Sequence, residues 1–426
     1  MSAARAPTPP PAVRRWLPRL LQGTPFRRYW SAQTVSVFGD EISALALPLF
    51  AVLGLHAGPA EMGYLIAAAL LPNLLFSVLA GAWIDRYPHK RRIMIIADVG
   101  RALLLTVVPA AYLLDVLTLN HLYVVAFLSG TLAVLFAVSN STLFVSLVPK
   151  QDYLEANTLL NGSRATSYVA GPSAAGLLVQ TLTAPIALLA DAASYLVSAV
   201  LLTKIRPAEP PPAETKGLGI GEGLRFIAGS PVLRATLLGA TTLNLFNYMF
   251  AALFVLYAST ELGVSPGLLG AVIGAGAFGA LLGAAVTGRV ARKLGIGRAL
   301  VLGFVLFPAP LLLVPLAGGP TPVLVGMLFT AEFFSGLGVM MLDITNGSVQ
   351  TAATPDALRA RVSGAQRTIN YGIRPIGALL GGALGASLGV RPALWIATIG
   401  AIAGVLWVLP ASVSKLRDLP EHDPGR

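Results

Sequence analysis

Twelve apolar runs, each long enough to cross a bilayer core of about 30 Å, decide what this 426-residue chain can fold into. They lie near residues 29–55, 61–84, 93–114, 120–147, 155–179, 184–203, 232–259, 264–288, 298–317, 322–349, 361–388 and 391–411. Inside hydrocarbon a backbone satisfies its hydrogen bonds only as helices or closed barrels, and runs of this length select helices. The expected fold is therefore all-α and integral to the membrane. Composition agrees: 55% hydrophobic residues, 12% charged residues and a mean hydropathy of +0.74 do not describe a soluble chain.

A net charge of +11 would suggest a nucleic-acid partner in a soluble protein, so the placement of the basic residues decides its meaning. They fall in every second connection. Arg14, Arg15, Arg19, Arg27 and Arg28 precede the first run, Lys90 to Arg92 follow the second, and Lys150 follows the fourth. Lys204 to Arg234 fill the centre, Arg289, Arg292, Lys293 and Arg298 follow the eighth, Arg359 and Arg361 the tenth, and Lys415 and Arg417 the last. The intervening connections carry no Lys or Arg except Arg391. Positive charge is retained in the cytoplasm, so both termini are expected there and the charge reflects topology, with no nucleic-acid partner. Cysteine is absent, and the four histidines form no ligand pair at helical spacing, so a metal site is not expected.

The chain divides at its polar stretches. Residues 1–25 read as a disordered basic arm, 26–203 as a first six-helix bundle, 204–230 as a Pro-rich cytoplasmic linker, 231–411 as a second bundle, and 412–426 as a tail. The bundles repeat. Arg164-x-x-x-Tyr168-x-x-x-Pro172 recurs 203 residues later as Arg367-x-x-x-Tyr371-x-x-x-Pro375. Gly81 to Arg91 maps onto Gly288 to Arg298 at an offset of 207, and at that offset Arg27 and Asp40 fall on Arg234 and Asn247. Three matches at nearly one offset imply a duplicated domain.

The stretch Gly81-Ala-Trp-Ile-Asp85-Arg86-Tyr-Pro-His-Lys90-Arg91-Arg92 is a charged hairpin between two apolar runs. It resembles the loop between the second and third helices of major facilitator superfamily transporters, roughly G-x-x-x-D-R-x-G-R-K, with Pro88 where many members carry glycine. The resemblance covers about residues 26–411. It implies twelve membrane helices in two pseudo-symmetric bundles that rock around a midplane site. In that family a charge network locks the cytoplasmic side, and here Gly81, Asp85, Arg86, Arg92, Asp98 and Arg101 would form it. Gly162, Gly171-Pro172 and Gly176 look like the exporter motif G-x8-G-x3-G-P-x-x-G-G, with Ser167 and Ala175 at two of its glycine positions. Asp191-Ala-Ala-Ser-Tyr195 and Pro355-Asp-Ala-Leu-Arg359-Ala-Arg361 resemble signatures of a branch with macrolide and siderophore exporters. The arginine that many proton-coupled drug exporters carry in the fourth span has no counterpart in Leu122 to Leu147.

Charged groups inside spans are costly and are functional candidates by default. Asp40 and Glu41 are adjacent on the first span, about 100° apart on a helix, so one faces a cavity and the other a neighbouring helix. Paired acids of this kind suit the binding and release of a proton. Asp98 and Arg101, three apart, share a face and can pair. Glu332, Asp343 and Asn346 lie on the tenth span, with Arg374 on the eleventh as a counter-charge for Asp343 or Glu332. Phe38, Tyr168, Phe246, Asn247, Tyr248, Phe250, Phe333, Phe334 and Tyr371 are candidates to line an apolar cavity with a few polar points.

No P-loop and no large cytoplasmic domain support a primary pump, and no His, Asp or Ser constellation supports a membrane enzyme. The leading reading is a monomeric exporter in a bacterial inner membrane. It would carry hydrophobic or cationic small molecules out against protons, with no cofactor beyond the proton gradient. The alternatives are a lipid or lysolipid flippase of the same fold and a siderophore exporter.

Overall fold

The computed structural model describes residues 18–87, 89–206 and 220–417. The arm to residue 17, Pro88, linker residues 207–219 and the tail from 418 lie outside the described residues, and of Gly81 and Asp85 only the backbone is described. The first bundle comprises α1 (Thr24–Leu55), α2 (Pro59–Arg86), α3 (Lys90–Leu113), α4 (Leu119–Leu147), α5 (Tyr153–Leu182) and α6 (Ala184–Thr203). The second comprises α7 (Pro231–Leu256), α8 (Pro266–Leu294), α9 (Ile296–Leu316), α10 (Thr321–Ala352), α11 (Arg359–Leu388) and α12 (Val390–Trp407). Ten of these helices are long and apolar enough to cross a membrane. The other two, α5 and α11, are 30 residues each but more polar, and they are the pair that carries the Arg-Tyr-Pro repeat.

The elements follow from local chemistry. Six helices, α1, α2, α6, α7, α8 and α10, carry Pro at their first or second position, where the missing N–H would have no intrahelical partner anyway. The Thr118 and His121 side chains cap the start of α4 reciprocally. The ninth span, expected as one helix, is broken at Pro308-Ala-Pro310, where a 3₁₀ turn over Ala309–Leu312 replaces the α ladder. Within the linker, Ile220–Gly229 is a helix that buries Ile227 against Leu233, Val362 and Ala365. An ion pair between Glu222 and Arg361 at 2.5 Å fixes it to α11.

The bundles touch each other on the face away from the basic loops. There α5 meets α8 and α2 meets α11 backbone to backbone: a Cβ on Gly176 would stand 2.2 Å from the Pro266 carbonyl oxygen, and one on Gly270 2.1 Å from that of Pro172. Gly63 and Gly382 make the symmetric approach. The largest buried cluster spans both bundles at this end, joining Leu49, Phe50 and Met62 to Leu253, Tyr257 and Leu269. Towards the basic face the buried clusters stay within one bundle, as with Phe26, Tyr29, Met94 and Leu143 in the first and Leu300, Phe304 and Val408 in the second. A Cβ on Gly162 of α5 or Gly364 of α11 would meet nothing within 4 Å. The molecule is closed on one side and open on the basic side.

Gly270→Val places atoms into the Pro172 carbonyl, and overpacking of this kind costs about 1–3 kcal/mol. The penalty falls on the closed contact alone, and each 1.4 kcal/mol is roughly a tenfold change in population. A reporter cysteine at Ala67, which packs between Ala252 and Ala378 of the other bundle, is expected to label about tenfold faster with a maleimide in the Gly270→Val background. The cysteine-free sequence makes that rate specific to the reporter.

Candidate functional site

In the first bundle a buried charge cluster is built from α1, α3 and α6. Asp98 and Arg101 share one face of α3, and Asp98 Oδ1 receives Arg101 Nη2 at 2.5 Å. Arg101 also approaches Asp40 of α1, with Nη1 3.5 Å from Oδ1. Tyr195 of α6 donates from its hydroxyl to the same Asp40 oxygen at 2.5 Å. Its ring centroid lies 4.0 Å from the Arg101 guanidinium carbon, and the Phe136 ring of α4 lies 4.8 Å from it. Arg101 is thereby held by two carboxylates and two aromatic rings, a cation–π arrangement strengthened by desolvation.

Asp191, one turn before Tyr195, lies alongside. Its Oδ1 accepts from Ser194 at 2.9 Å, and its Oδ2 accepts from Ser43 of α1. Gly39 makes the approach possible, since a Cβ there would lie 2.2 Å from Asp191 Oδ1 and 2.1 Å from Ser194 Oγ. Asp98 and Asp191 are fully buried. Asp40 has a side chain 42% exposed and is the member of the cluster that reaches solvent. Three carboxylates share this cluster with one guanidinium, a surplus of acid in a setting where unpaired charge is costly.

Glu41, about a quarter turn from Asp40, points away from this cluster and packs on Gly171 of α5, where a Cβ would stand 2.4 Å from the Glu41 Cβ. The motif glycine is therefore the space the Glu41 side chain occupies. Pro172 and Gly176 lie at the α5–α8 contact between bundles, whereas Gly162 opens onto a groove.

The second bundle holds a polar cavity of about 410 Å³ between α7, α10 and α11. Asn247, Tyr248, Asp343, Asn346, Tyr371 and Arg374, scattered over 127 residues of sequence, all line it. Arg374 does not ion-pair with an acid among the described residues: Nε donates to Asn244 Oδ1 at 3.2 Å, and the guanidinium carbon lies 4.0 Å from the Tyr371 ring centroid and 5.0 Å from that of Tyr248.

The remaining candidates lie elsewhere. Phe250 is buried in the core, stacked on Phe254 at 5.4 Å. Phe246 packs against Gly400 of α12. Phe333 and Phe334 meet edge to face at 5.3 Å, with Phe334 exposed on the outside. Phe38 lines a groove on the flank of the first bundle, and Tyr168 is half exposed. Glu332 lies against Gly276 of α8, and no hydrogen bond or ion pair reaches its carboxylate among the described residues. Arg86 and Arg92 are exposed at the basic face, separate from the Asp98–Arg101 pair. In the same hairpin, Lys90 donates from Nζ to the Ile84 carbonyl and Arg91 to the Ile205 carbonyl, which ties the loop to the end of α6.

Asp191 and Tyr195 were visible in the sequence only as a signature, not as site residues. Their spacing of four was the available signal, since it places both on one helix face. Asn244, Gln366 and Asn370 carried no comparable signal.

This geometry and fold define a membrane transporter of two facing bundles, and comparison with known proteins gives the family. The profile of the Major Facilitator Superfamily matches residues 29–373 and 236–425. The chain belongs to that superfamily. It is 27% identical over 383 residues to an uncharacterized MFS-type transporter, YfiS, of Bacillus subtilis, covering 86% of this chain and 88% of that one. It is also 27% identical over 406 residues to the multidrug efflux pump Tap of Mycolicibacterium fortuitum, covering 89% and 93%. Among solved structures, a bacterial homologue of the iron transporter ferroportin in its inward-facing state superposes with a TM-score of 0.73 at 16% identity, over 93% of this chain and all of that one. A bacterial homologue of the lysosomal transporter Spinster, inward-facing and unoccupied, gives 0.72 at 14% identity with 93% of this chain covered.

Removing the guanidinium leaves Asp98 buried without a counter-charge, which typically costs 3–5 kcal/mol. Arg101→Met is therefore expected to lower the thermal unfolding midpoint of the purified protein markedly. Arg101→Lys keeps the charge but loses the planar stacking on Tyr195 and Phe136, and should fall between that variant and the wild type.

Proposed function

We propose that this chain is a secondary exporter of amphipathic or hydrophobic small molecules that works by alternating access and proton antiport. The observation that carries this reading is the acid-rich cluster around Arg101, in which Asp98 and Asp191 are sealed and Asp40 alone reaches solvent. A proton entering through Asp40 cancels part of the surplus negative charge and weakens its hold on Arg101 and Tyr195. Because Asp40 lies on α1, Asp98 and Arg101 on α3 and Tyr195 on α6, the change is felt by three helices at once.

Export rather than import is supported by the likeness to multidrug efflux pumps named Tap and by the exporter-like motif, of which Pro172 and Gly176 lie at the contact between α5 and α8 while Gly171 receives Glu41 of α1. Alternation of basic and neutral connections supports a bacterial cytoplasmic membrane with both termini inside, and the family resemblance supports a monomer acting without a cofactor. One observation favours a second reading, transport of a lysolipid. A groove of about 870 Å³ runs down the flank of the first bundle between α1, α5 and α6, walled by Trp30, Phe38, Leu178 and Val197. An acyl chain would fit such a surface.

The test is ethidium efflux from proteoliposomes with an imposed proton gradient. Wild type should move the dye only with the gradient. Asp40→Asn should lose at least about tenfold of that gradient-driven flux while retaining dye–dye counterflow, which needs the cavity but not the proton. Equal gradient-driven flux in Asp40→Asn would refute its role. Movement of labelled lysolipid with no dye flux would establish the second reading instead.

A further inference from the structure

The cavity in the second bundle contains features that an apolar or purely cationic cargo leaves unused. Arg374 and Asp343 line the same 410 Å³ space yet do not form an ion pair. The two tyrosine faces beside Arg374 stack on its charge without neutralising it, and Asn244 accepts a single bond from it. Two further groups on the wall are buried without hydrogen-bond partners: Gln366 Nε2, a donor on a residue only 5% exposed, and Asn346 Oδ1, an acceptor. Buried polar atoms are nearly always satisfied, so a donor and an acceptor left open on one wall point to a partner that supplies the complement of each. The residues around this space of small-molecule size thus include one fixed cation, one fixed anion, and a covered, unpaired donor and acceptor that a turn of the Gln366 and Asn346 side chains would present to a bound polar group.

The first bundle shows that this arrangement is specific to the second. At the repeat offsets, Glu41 and Gly171 correspond to Tyr248 and Arg374. Where the first bundle lays an acid over a glycine, the second sets an arginine against a tyrosine. Asp40 is likewise replaced by Asn247. The duplicated scaffold has exchanged one acid for an amide and the other for a phenol, and it has gained a guanidinium facing the cavity.

We propose that this cavity is a binding site for zwitterionic compounds, holding an anionic group such as a carboxylate on Arg374 and an ammonium group on Asp343. The carboxylate takes the guanidinium edge and the Gln366 amide, and the ammonium takes Asp343 and the Asn346 carbonyl. Arg374 is suited to this because a planar guanidinium pairs with a carboxylate through two donors while its face remains on Tyr371. A compound with only one of the two charges satisfies one side of the cavity and leaves the other unpaired in a poorly solvated wall. The inference rests on the exporter reading only for the statement that the bound compound is the cargo. Binding itself is measured without transport.

The probe set is Nε-dansyl-lysine, which carries an ammonium and a carboxylate, its methyl ester, which keeps only the ammonium, and its Nα-acetyl derivative, which keeps only the carboxylate. Dansyl fluorescence reports equilibrium binding to the purified protein in nanodiscs. The zwitterion is expected to bind at least about tenfold tighter than either single-charge analogue. Arg374→Gln should bring the zwitterion down to the affinity of the ester, and Asp343→Asn should bring it down to that of the acetyl derivative. Arg374→Lys, which keeps the charge but not the fork, should retain part of the preference, and unchanged unfolding midpoints establish that each variant is folded. Equal affinity for all three probes, or a preference for the zwitterion over the ester that survives Arg374→Gln, would overturn the proposal. Neither result bears on gradient-driven ethidium flux, so a failed exporter reading and a failed site are told apart.

Discussion

A guanidinium cannot lie alone among membrane helices, and the first bundle is arranged around that restriction. Arg101 sits near the middle of α3, where solvent does not reach, and it is stable there because α1, α3, α4 and α6 each bring a group to it. Asp98 comes from its own helix, Asp40 from α1, Tyr195 from α6 and Phe136 from α4. Each partner fixes the position of one helix relative to α3. The same side chain that would be most costly to insert thus sets the register of four helices, which is how a buried ionic group contributes specificity rather than net stability.

The second bundle has the same backbone and lacks that device. At an offset of 206 residues Asp191 and Tyr195 fall on Ala397 and Ala401 of α12, so no acid or phenol is available there to hold an arginine. The scaffold is nevertheless preserved in detail. The connection between α5 and α6 is Thr183 with φ 79°, and that between α11 and α12 is Gly389 with φ 93°, both with ψ 156°. A β-branched residue in that conformation is strained, and its persistence reflects the geometry the duplicated turn demands. Packing in the second bundle relies instead on glycine, as where Gly336 of α10 crosses Gly276 of α8 so closely that a Cβ would stand 1.8 Å from a carbonyl oxygen. One copy is held by charge and the other by close backbone approach, which leaves the second free to present its polar groups to a cavity.

Most of the all-helical architecture was legible because hydrophobic run length is a local property of the sequence. The repeat of Arg164, Tyr168 and Pro172 at Arg367, Tyr371 and Pro375 revealed the duplication for the same reason. The pairing of Asp98 with Arg101 was legible because three residues on a helix share a face. What was not legible depends on contacts between distant segments. Asp40 and Tyr195 are 155 residues apart, and nothing local says that α1 and α6 are neighbours. Nor does local pattern distinguish Phe250, which stacks in the core, from Tyr248 two residues earlier, which faces the cavity: both are aromatic and both lie on α7. The helix at Ile220–Gly229 was missed because the Pro-rich stretch before it dominates the composition of the linker.

The closed and open faces are connected through the same helices that carry the chemistry. Near the neutral loops, apolar side chains from both bundles merge into one buried cluster, whereas near the basic loops each bundle keeps its own. Exchanging the two arrangements requires the α5–α8 and α2–α11 contacts to part at one end and form at the other. Glycines at those contacts let the backbones approach without interlocking side chains, so separation breaks few specific bonds and the two arrangements can lie close in free energy. Under the proposed antiport, a change in charge at Asp40 would need to supply only a small bias. It acts on α1, which carries both Asp40 beside Arg101 and Glu41 against Gly171 of α5. The interface helix α5 is therefore one side chain away from the acid cluster, and under the proposed antiport that contact would carry a change of charge state to the contact between bundles.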